Sequence, residues 1–470
     1  MHDDQTICAI STPPGNGAIA IVRLSGKEAI SIVDKVFSSQ KGKKKLVDQA
    51  ANTIHFGMLS DGDEVIDEVL VSIFKAPHSY TGENLAEISC HGSEYIQQRI
   101  LELFIKNGAG LAGPGEFTMR AFLNGKLDLS QAEAVADLIA SDSKGSHQLA
   151  IRQMRGGFSR EIAGLREKLL YFISMIELEL DFSEEDVEFA NRSELVLLLE
   201  EIKELSQSLI DSFQKGNVIK NGVPVAITGK PNVGKSTLLN YLLNEDKAIV
   251  SHIAGTTRDV IEDVLTIKEF RFRLIDTAGL RKAQDSIETM GIEKTYEKIE
   301  KAYIILYLID ANQPIDEINR LIGKIKERIG NADKKLVVLL NKSDSLSPED
   351  LTSRQLRKSF PILDLEDHLL CISAKNKINL KALYKLLPAI IREDGHEQPD
   401  VIVTNTRHFE ALSKANEALD RAITGLDTGL SSDLLAMDIR EVLHYLGEIT
   451  GQVTTDEVLG NIFKNFCVGK

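Results

Sequence analysis

Apolar positions along the chain change their spacing with position. Up to residue 118 they form short runs broken by turns. Ile19-Ala20-Ile21-Val22, Glu68-Val69-Leu70-Val71-Ser72-Ile73-Phe74 and Ala86-Glu87-Ile88-Ser89-Cys90 predict strands. The stretches 27–37 and 93–106 have helical spacing, with Ile96, Ile100 and Leu103 on one face of the second. Residues 1–118 are expected to form an α+β domain. From 119 to 220 the spacing turns helical: Ile162, Leu165, Leu169, Ile173, Ile176 and Leu180 recur every three or four residues, as do Leu198, Ile202, Leu205 and Leu209. Residues 221–392 alternate strand-like runs with helical ones, the pattern of a mainly parallel sheet. From 393 to 470 helices return, through Leu412, Leu419 and Leu426, then Leu435, Ile439, Val442, Leu446 and Ile449. That tail is short for a domain of its own. It is expected to pack on the earlier helices, making 221–392 an insertion in a split helical domain.

Composition narrows the class. The chain of 470 residues is 43% hydrophobic and 27% charged, an ordinary globular balance, and its net charge is -15. Acidic chains bind nucleic acid poorly unless a local basic patch replaces the counterions. Lys41-Gly42-Lys43-Lys44-Lys45 is one such patch, or else a solvated loop. Cys8, Cys90, Cys371 and Cys467 make no CxxC pair, which argues against a disulfide framework or zinc ribbon and suits a reducing cytosol. Cys90-His91 with His55 and His78 lacks metal-ligand spacing. The start, Met1-His2-Asp3-Asp4, has no basic region ahead of an apolar stretch, and no apolar run reaches the ~18 residues of a membrane span. A cytoplasmic protein with no membrane partner is expected.

The candidate chemistry lies in 221–392. Gly229-Lys230-Pro231-Asn232-Val233-Gly234-Lys235-Ser236-Thr237 fits the P-loop pattern G-x-x-x-x-G-K-[ST]. It follows the run Val225-Ala226-Ile227-Thr228 and opens a helix. Lys235 is placed to reach the β- and γ-phosphates, and Ser236 to ligate Mg2+. Asp276-Thr277-Ala278-Gly279 follows Phe272-Arg273-Leu274-Ile275. There Asp276 would hold Mg2+ through water, and the Gly279 N–H would sense the γ-phosphate. Asn341-Lys342-Ser343-Asp344 follows Leu336-Val337-Val338-Leu339-Leu340. Asp344 can accept from guanine N1–H and the 2-amino group, donors that adenine lacks, so GTP is selected over ATP. Ser373-Ala374-Lys375 would offer a backbone contact to guanine O6. Each motif stands at the carboxyl end of an apolar strand, where open α/β sheets bind ligands. Leu280 after Gly279 cannot orient a water as a Ras-style glutamine does, so that role falls elsewhere.

Asn232 and the loop Ser251-His252-Ile253-Ala254-Gly255-Thr256-Thr257 resemble the potassium-activated branch of the translation-factor-related GTPases. On this resemblance K+ replaces an arginine finger and binds Asn232, Ser251, Ile253 (through its carbonyl) and Thr256. Thr257 joins Ser236 on Mg2+. The nucleotide domains would pair face to face.

The whole chain resembles the tRNA-modification GTPase family MnmE, also called TrmE. The resemblance rests on Gly115-Glu116-Phe117-Thr118, Arg120-Ala121-Phe122-Leu123-Asn124-Gly125-Lys126 with Asp128-Leu129, Gln131-Ala132-Glu133-Ala134-Val135, and the final Phe466-Cys467-Val468-Gly469-Lys470. Val468 stands where the family more often has Ile. By position Glu288 matches the family's water-orienting catalytic glutamate, while Lys282 and Thr289 replace the more usual acidic and basic residues. Arg23, Glu87, Lys126 and Lys470 match the family's contacts to a reduced folate, 5-formyltetrahydrofolate or methylenetetrahydrofolate, in an N-terminal domain that also dimerises. Arg or Lys suits the folate's glutamate tail, and a carboxylate such as Glu87 suits the pterin. The family directs its C-terminus towards the folate. Cys467 is then a thiol nucleophile or redox group, or else a small buried side chain on a helix.

The resemblance implies a homodimer that joins the flavin- and NADH-dependent partner MnmG (GidA) as a heterotetramer. Together they would add a carboxymethylaminomethyl group at C5 of the tRNA wobble uridine, with GTP hydrolysis driving domain movement. A ribosome-assembly GTPase would instead end in a basic RNA-binding domain, which the helical tail does not resemble. A structural hinge that merely binds GTP would not hydrolyse it.

Overall fold

The computed structural model describes residues 5–39, 45–181, 192–245, 263–275, 299–330, 334–355, 357–393, 402–464 and 466–470. The chain divides into two compact units. One comprises Met1–Ala140, Ala150–Ile210 and Thr406–Lys470, and the other Ser141–Leu149 and Asp211–Asn405.

The first unit opens with β1 (Ile7–Ile10), β2 (Ile19–Ser25), α1 (Ala29–Val36), β3 (Phe37–Ser39), β4 (Thr53–Asp61), β5 (Glu64–Phe74), β6 (Leu85–His91), α2 (Glu94–Lys106) and β7 (Gly110–Leu111). The strands make one sheet in the order β3-β4-β5-β6-β2-β1-β7. All neighbours are antiparallel except β1 and β7. On β5 Asp67, Val69, Val71 and Ile73 are buried, while Glu68 and Leu70 are exposed. This period of two is what the sequence pattern predicts for a strand with one covered face. Val71 and Ile73 share a core with Ile30 and Val33 of α1 and Ile100 and Phe104 of α2. Full burial of a side chain such as Phe104 is worth about 1.5–3 kcal/mol. Asp67 is the polar exception, and its carboxylate accepts from the His91 N–H and imidazole.

Helices complete this unit: α3 (Glu116–Leu123), α4 (Leu129–Ala140), the end of α5 (Lys144–Met154), α6 (Gly157–Asp181) and the first part of α7 (Arg192–Asn221). Ile162, Leu165, Leu169, Ile173 and Ile176 of the expected stripe are buried.

The second unit runs through β8 (Val223–Thr228), α8 (Lys235–Glu245), β9 (Asp263–Ile267), β10 (Phe270–Leu274), β11 (Ile304–Asp310), α9 (Ile315–Ile329), β12 (Lys335–Asn341), α10 (Pro348–Gln355), β13 (His368–Cys371) and α11 (Leu380–Glu393). Its sheet has the order β13-β12-β11-β8-β10-β9, parallel throughout except for β9. Every residue of β12 is buried, as expected of a parallel strand covered on both faces. The β9–β10 hairpin was not foreseen. It turns on Lys268, whose φ is +56.

The chain then returns to the first unit with α12 (Thr406–Asp427), α13 (Ser432–Thr450) and α14 (Asp456–Phe463). α13 packs along both α6 and α12, burying Leu435, Ile439, Val442, Leu446 and Ile449. Among the described residues no helix is long and apolar enough to cross a membrane.

Candidate functional site

The P-loop joins β8 to α8. Gly229, Asn232 and Gly234 have φ of +144, +59 and +101. These turns are open to glycine and tolerated by asparagine. There is also no room for a side chain at either glycine. A Cβ on Gly229 would lie 2.3 Å from the Leu308 carbonyl, and one on Gly234 would lie 2.3 Å from the Asn341 amide nitrogen. Lys235 begins α8, and its ammonium donates to the carbonyls of Gly229 and Lys230, each at 2.8 Å. Val233 is buried, whereas Asn232, Ser236 and Thr237 are exposed. A ring of backbone around a lysine at a helix N-terminus is a cradle for phosphate.

Asn341 ends β12 and is 3% exposed. Its Nδ2 donates to the Val233 carbonyl at 2.7 Å, and its Oδ1 accepts from the Ala374 N–H at 2.9 Å. One side chain thus ties the P-loop to the Ser373-Ala374-Lys375 loop. Lys342 has φ +67, and its ammonium reaches the Asp310 carboxylate at 2.7 Å. Burial works to raise the Asp310 pKa, but Lys342 and the Asn312 hydrogen bonds outweigh it and hold it low. Ser343 is buried, and its N–H donates to the Ile372 carbonyl at 3.1 Å. Asp344 accepts from Asn376 Nδ2 at 2.9 Å. Asn376 escaped the sequence reading. Its one signal was its place just after Ser373-Ala374-Lys375, a segment closed by the Ser373–Ile378 bridge.

The ends of β8, β12 and β13 stand together at one edge of the sheet, with Tyr307 opposite Thr228, Asp310 opposite Asn341 and Leu340 opposite Cys371. The P-loop, the Asn341–Asp344 segment and the Ser373–Lys375 segment therefore share that edge. Ser251, His252, Ile253, Ala254, Gly255, Thr256, Thr257, Asp276, Thr277, Ala278, Gly279 and Glu288 lie outside the described residues.

A second constellation lies in the first unit. Arg23 of β2 faces Glu87 of β6 in register and pairs with it at 2.7 Å. The two matched folate contacts thus stand side by side on neighbouring strands. The Arg23 guanidinium also lies 5.6 Å from the ring centroids of both Tyr80 and Phe117. Neither ring was singled out by sequence pattern as part of this site. Tyr80 shares a hydrogen bond of 2.8 Å with Thr118, and burial raises its pKa.

The C-terminal box docks here. Val468 bridges to Pro114, and the Gly115 N–H donates to the Cys467 carbonyl at 3.3 Å. The Gly469 carbonyl accepts from Ser11 Oγ at 3.0 Å and Arg23 Nη1 at 3.4 Å. Gly115 has φ +65, and a Cβ there would lie 2.8 Å from Phe466 Cβ. Cys467 is exposed and beyond the last helix, which removes the alternative of a small buried side chain on a helix. The strand-like bridge at Val468 and the left-handed Gly469 are incompatible with a continuing helix. Lys470 is half-buried, and Lys126 is exposed near Gly82.

The family model described as "MnmE helical domain" matches residues 129–467. The one described as "GTP-binding protein TrmE N-terminus" matches residues 6–126. The chain is 54% identical over 472 residues to the tRNA modification GTPase MnmE of Flavobacterium johnsoniae, covering 100% of both chains. To the protein of the same name from Bacteroides thetaiotaomicron it is 54% identical over 473 residues, again covering 100% of both. To that of Cytophaga hutchinsonii it is 51% identical over 469 residues, covering 100% of this chain and 98% of the relative.

Proposed function

The chain belongs to the tRNA modification GTPase MnmE (TrmE) family, and from that premise we propose that it is a K+-activated GTPase acting on the tRNA wobble uridine. It hydrolyses GTP, as the family name states. With MnmG (GidA) it installs a carboxymethylaminomethyl group at C5, drawing one carbon from a tetrahydrofolate.

One observation carries the one-carbon half of this reading. The C-terminal box, distant in sequence, is held through the Gly469 carbonyl by the same Arg23 that pairs with Glu87. Arg23, Glu87 and the C-terminal box thus form one neighbourhood, beside which the Tyr80 ring is 37% exposed. A pteridine can pack against such a ring, and the carboxylates of the folate's glutamate tail suit a nearby ammonium such as that of Lys470. Lys126 is assigned to that tail.

In the nucleotide domain Lys235 and the P-loop amides hold phosphate, and Asp344, oriented by Asn376, reads guanine. Mg2+ on Ser236 and Thr257, and K+ on Asn232, Ser251, Ile253 and Thr256, would supply positive charge at the phosphates. Asp276 would orient the metal's water, Gly279 would meet the γ-phosphate, and Glu288 would orient the attacking water. The domain division 1–118, 119–220, 221–392 and 393–470 belongs to the same reading. So does a homodimer through the sheet, whose outward face carries Ile54, Phe56 and Leu70, 67%, 45% and 45% exposed. A cytoplasmic location suits a tRNA substrate.

GTPase rates in equal KCl and NaCl test the ion; equal rates refute it. An undiminished Glu288→Ala rate removes the glutamate from the mechanism. Titration with 5-formyltetrahydrofolate tests the N-terminal site, and absence of binding by the intact protein refutes it. Nucleoside analysis of tRNA from a deletion strain tests the pathway; unchanged wobble uridines overturn it.

A further inference from the structure

We propose that Arg120 is a positioning residue for the C-terminal box. Acting through Glu116, it holds the turn on which residues 467–469 dock, and so it sets ligand affinity beside the Arg23–Glu87 pair without touching the ligand. The claim about affinity rests on the folate reading above; the claim about docking does not.

Arg120 stands on α3 and is 7% exposed. A guanidinium buried that far must have its donors met, and its planar fork can serve several oxygens at once. Three segments supply them. Nη2 donates to Glu116 Oε1 at 2.8 Å and to the Gln5 carbonyl at 3.0 Å. Nη1 donates to both oxygens of Glu83 at 3.3 Å. Two carboxylates thus share one cation. An exposed i,i+4 pair on a helix is worth little, but here the pair of Arg120 and Glu116 is buried and tied to two further segments.

Each segment leads to the C-terminal box. Glu116 uses its second oxygen, Oε2, to accept from the Gly113 N–H at 2.7 Å. Next in the chain are Pro114, which bridges to Val468, and Gly115, whose N–H donates to the Cys467 carbonyl. Gln5 leads into β1 and on to Ser11, whose hydroxyl holds the Gly469 carbonyl. Glu83 accepts from Ser25 Oγ at 2.7 Å, at the end of the strand that carries Arg23. Glu116 is the pivot, because it spends one oxygen on Arg120 and the other on the docking turn. A carboxamide has a single acceptor oxygen and cannot do both.

The test combines hydrogen exchange read by mass spectrometry with titration of 5-formyltetrahydrofolate, both on the full-length protein. Arg120→Gln and Glu116→Gln should each speed exchange across 466–470 about tenfold or more, the effect of losing one hydrogen bond to a charged group. The amides of β5 and β6 should exchange as in wild type. Both variants should weaken 5-formyltetrahydrofolate by a similar factor. Glu116→Gln keeps the side chain's length and the arginine, so it carries the test if Arg120→Gln does not fold. In a Gly469→Ala background, where the box is already released, Arg120→Gln should cost no further affinity, because residues acting through one shared element are not additive. A merely structural arginine would cost the same in both backgrounds and speed exchange throughout the sheet. Unchanged exchange at 466–470 in both variants, or an additive loss in the double variant, overturns the proposal. Absence of binding by wild type refutes the folate reading instead, and the exchange result then decides the docking claim by itself.

Discussion

Replacing Asn341 by Ala should loosen the nucleotide site without changing which base it prefers. The side chain is 3% exposed and makes two hydrogen bonds, to the Val233 carbonyl at 2.7 Å and from the Ala374 N–H at 2.9 Å. Alanine keeps neither and leaves two backbone groups unpaired beneath the P-loop. Each such group costs about 1–3 kcal/mol, so the total is roughly 2–6 kcal/mol. A bound nucleotide must then order the two loops unaided. At 1.4 kcal/mol per decade, even the lower figure weakens GDP by about 30-fold. Fluorescence titration with a labelled GDP gives the affinity, and a melting curve shows how much of the loss falls on the fold. Inosine diphosphate, which lacks the 2-amino group, should lose affinity by the same factor. Two results refute the reasoning. Unchanged affinity with an unchanged melt means that the tie carries no energy. A loss confined to GDP means that Asn341 reads the 2-amino group instead of bracing the loop.

Asp344→Ala should do the reverse, erasing the preference for GDP over inosine diphosphate; a retained preference in competition binding would place base recognition elsewhere. Gly469→Ala forces a side chain onto φ +90 with its Cβ 2.3 Å from the Ile10 carbonyl. It should undock residues 466–470, seen as faster hydrogen exchange there, and weaken 5-formyltetrahydrofolate binding while sparing basal GTPase; unchanged exchange counts against the docking. Burial tends to raise the pKa of Glu133, but His408 and Arg407 overcome it and hold the carboxyl at about 2, against an ordinary 4.5. A depressed carboxylate stabilises the fold above its unfolded pKa and loses that stability as pH falls through its folded one, here between about 4.5 and 2. Glu133→Gln should therefore cost up to about 3 kcal/mol near neutrality, with the deficit shrinking across that window in denaturant titrations; a pH-independent deficit would be inconsistent with it. Thiol reagents should modify Cys467 at once in the native protein, whereas the buried Cys8, Cys90 and Cys371 wait for unfolding. Burial pushes Cys8 up to about 12 and Cys90 up to about 11. Rapid reaction of a second thiol would contradict the burial.

The nucleotide site was legible because its chemistry is written in local spacing. Gly229 and Gly234 mark backbone turns that other residues resist, and β8 and β12 are built on the apolar runs Val225-Ala226-Ile227 and Leu336-Val337-Val338-Leu339-Leu340. Side chains whose partners lie far along the chain were not legible. Asn376 matters only because the Ser373–Ile378 bridge turns it back towards Asp344. Glu133 stood out within Gln131-Ala132-Glu133-Ala134-Val135, yet its partners Arg407 and His408 are 274 and 275 positions away, at 2.9 and 2.8 Å. Tyr80 and Phe117 had no signal as a pair, because it is Arg23 that brings them together. The β9–β10 hairpin was missed because Lys268-Glu269 carries none of the usual Gly, Asn or Asp turn chemistry.

The C-terminal box is the clearest case of a motif whose meaning is geometric. Read alone, Phe466-Cys467-Val468-Gly469-Lys470 allowed either a working thiol or a small buried one. The structure removes the premises of the second. Phe466 packs on Phe463 at a centroid distance of 5.1 Å, Val468 bridges to Pro114, and the Gly469 carbonyl is held by Ser11 and Arg23. Each neighbour of Cys467 is thus anchored through side chain or backbone, while the thiol itself stays exposed. Gly469 belongs at its position because its carbonyl must reach Arg23 at a φ that other residues resist, with no space for a Cβ. Gly115 belongs at its own for the matching reason on the other side of the contact. Two of the segments that carried the resemblance, the one opening at Gly115 and the C-terminal box, are therefore two halves of one joint. That joint fixes where the thiol stands, two residues from the carbonyl that Ser11 and Arg23 hold.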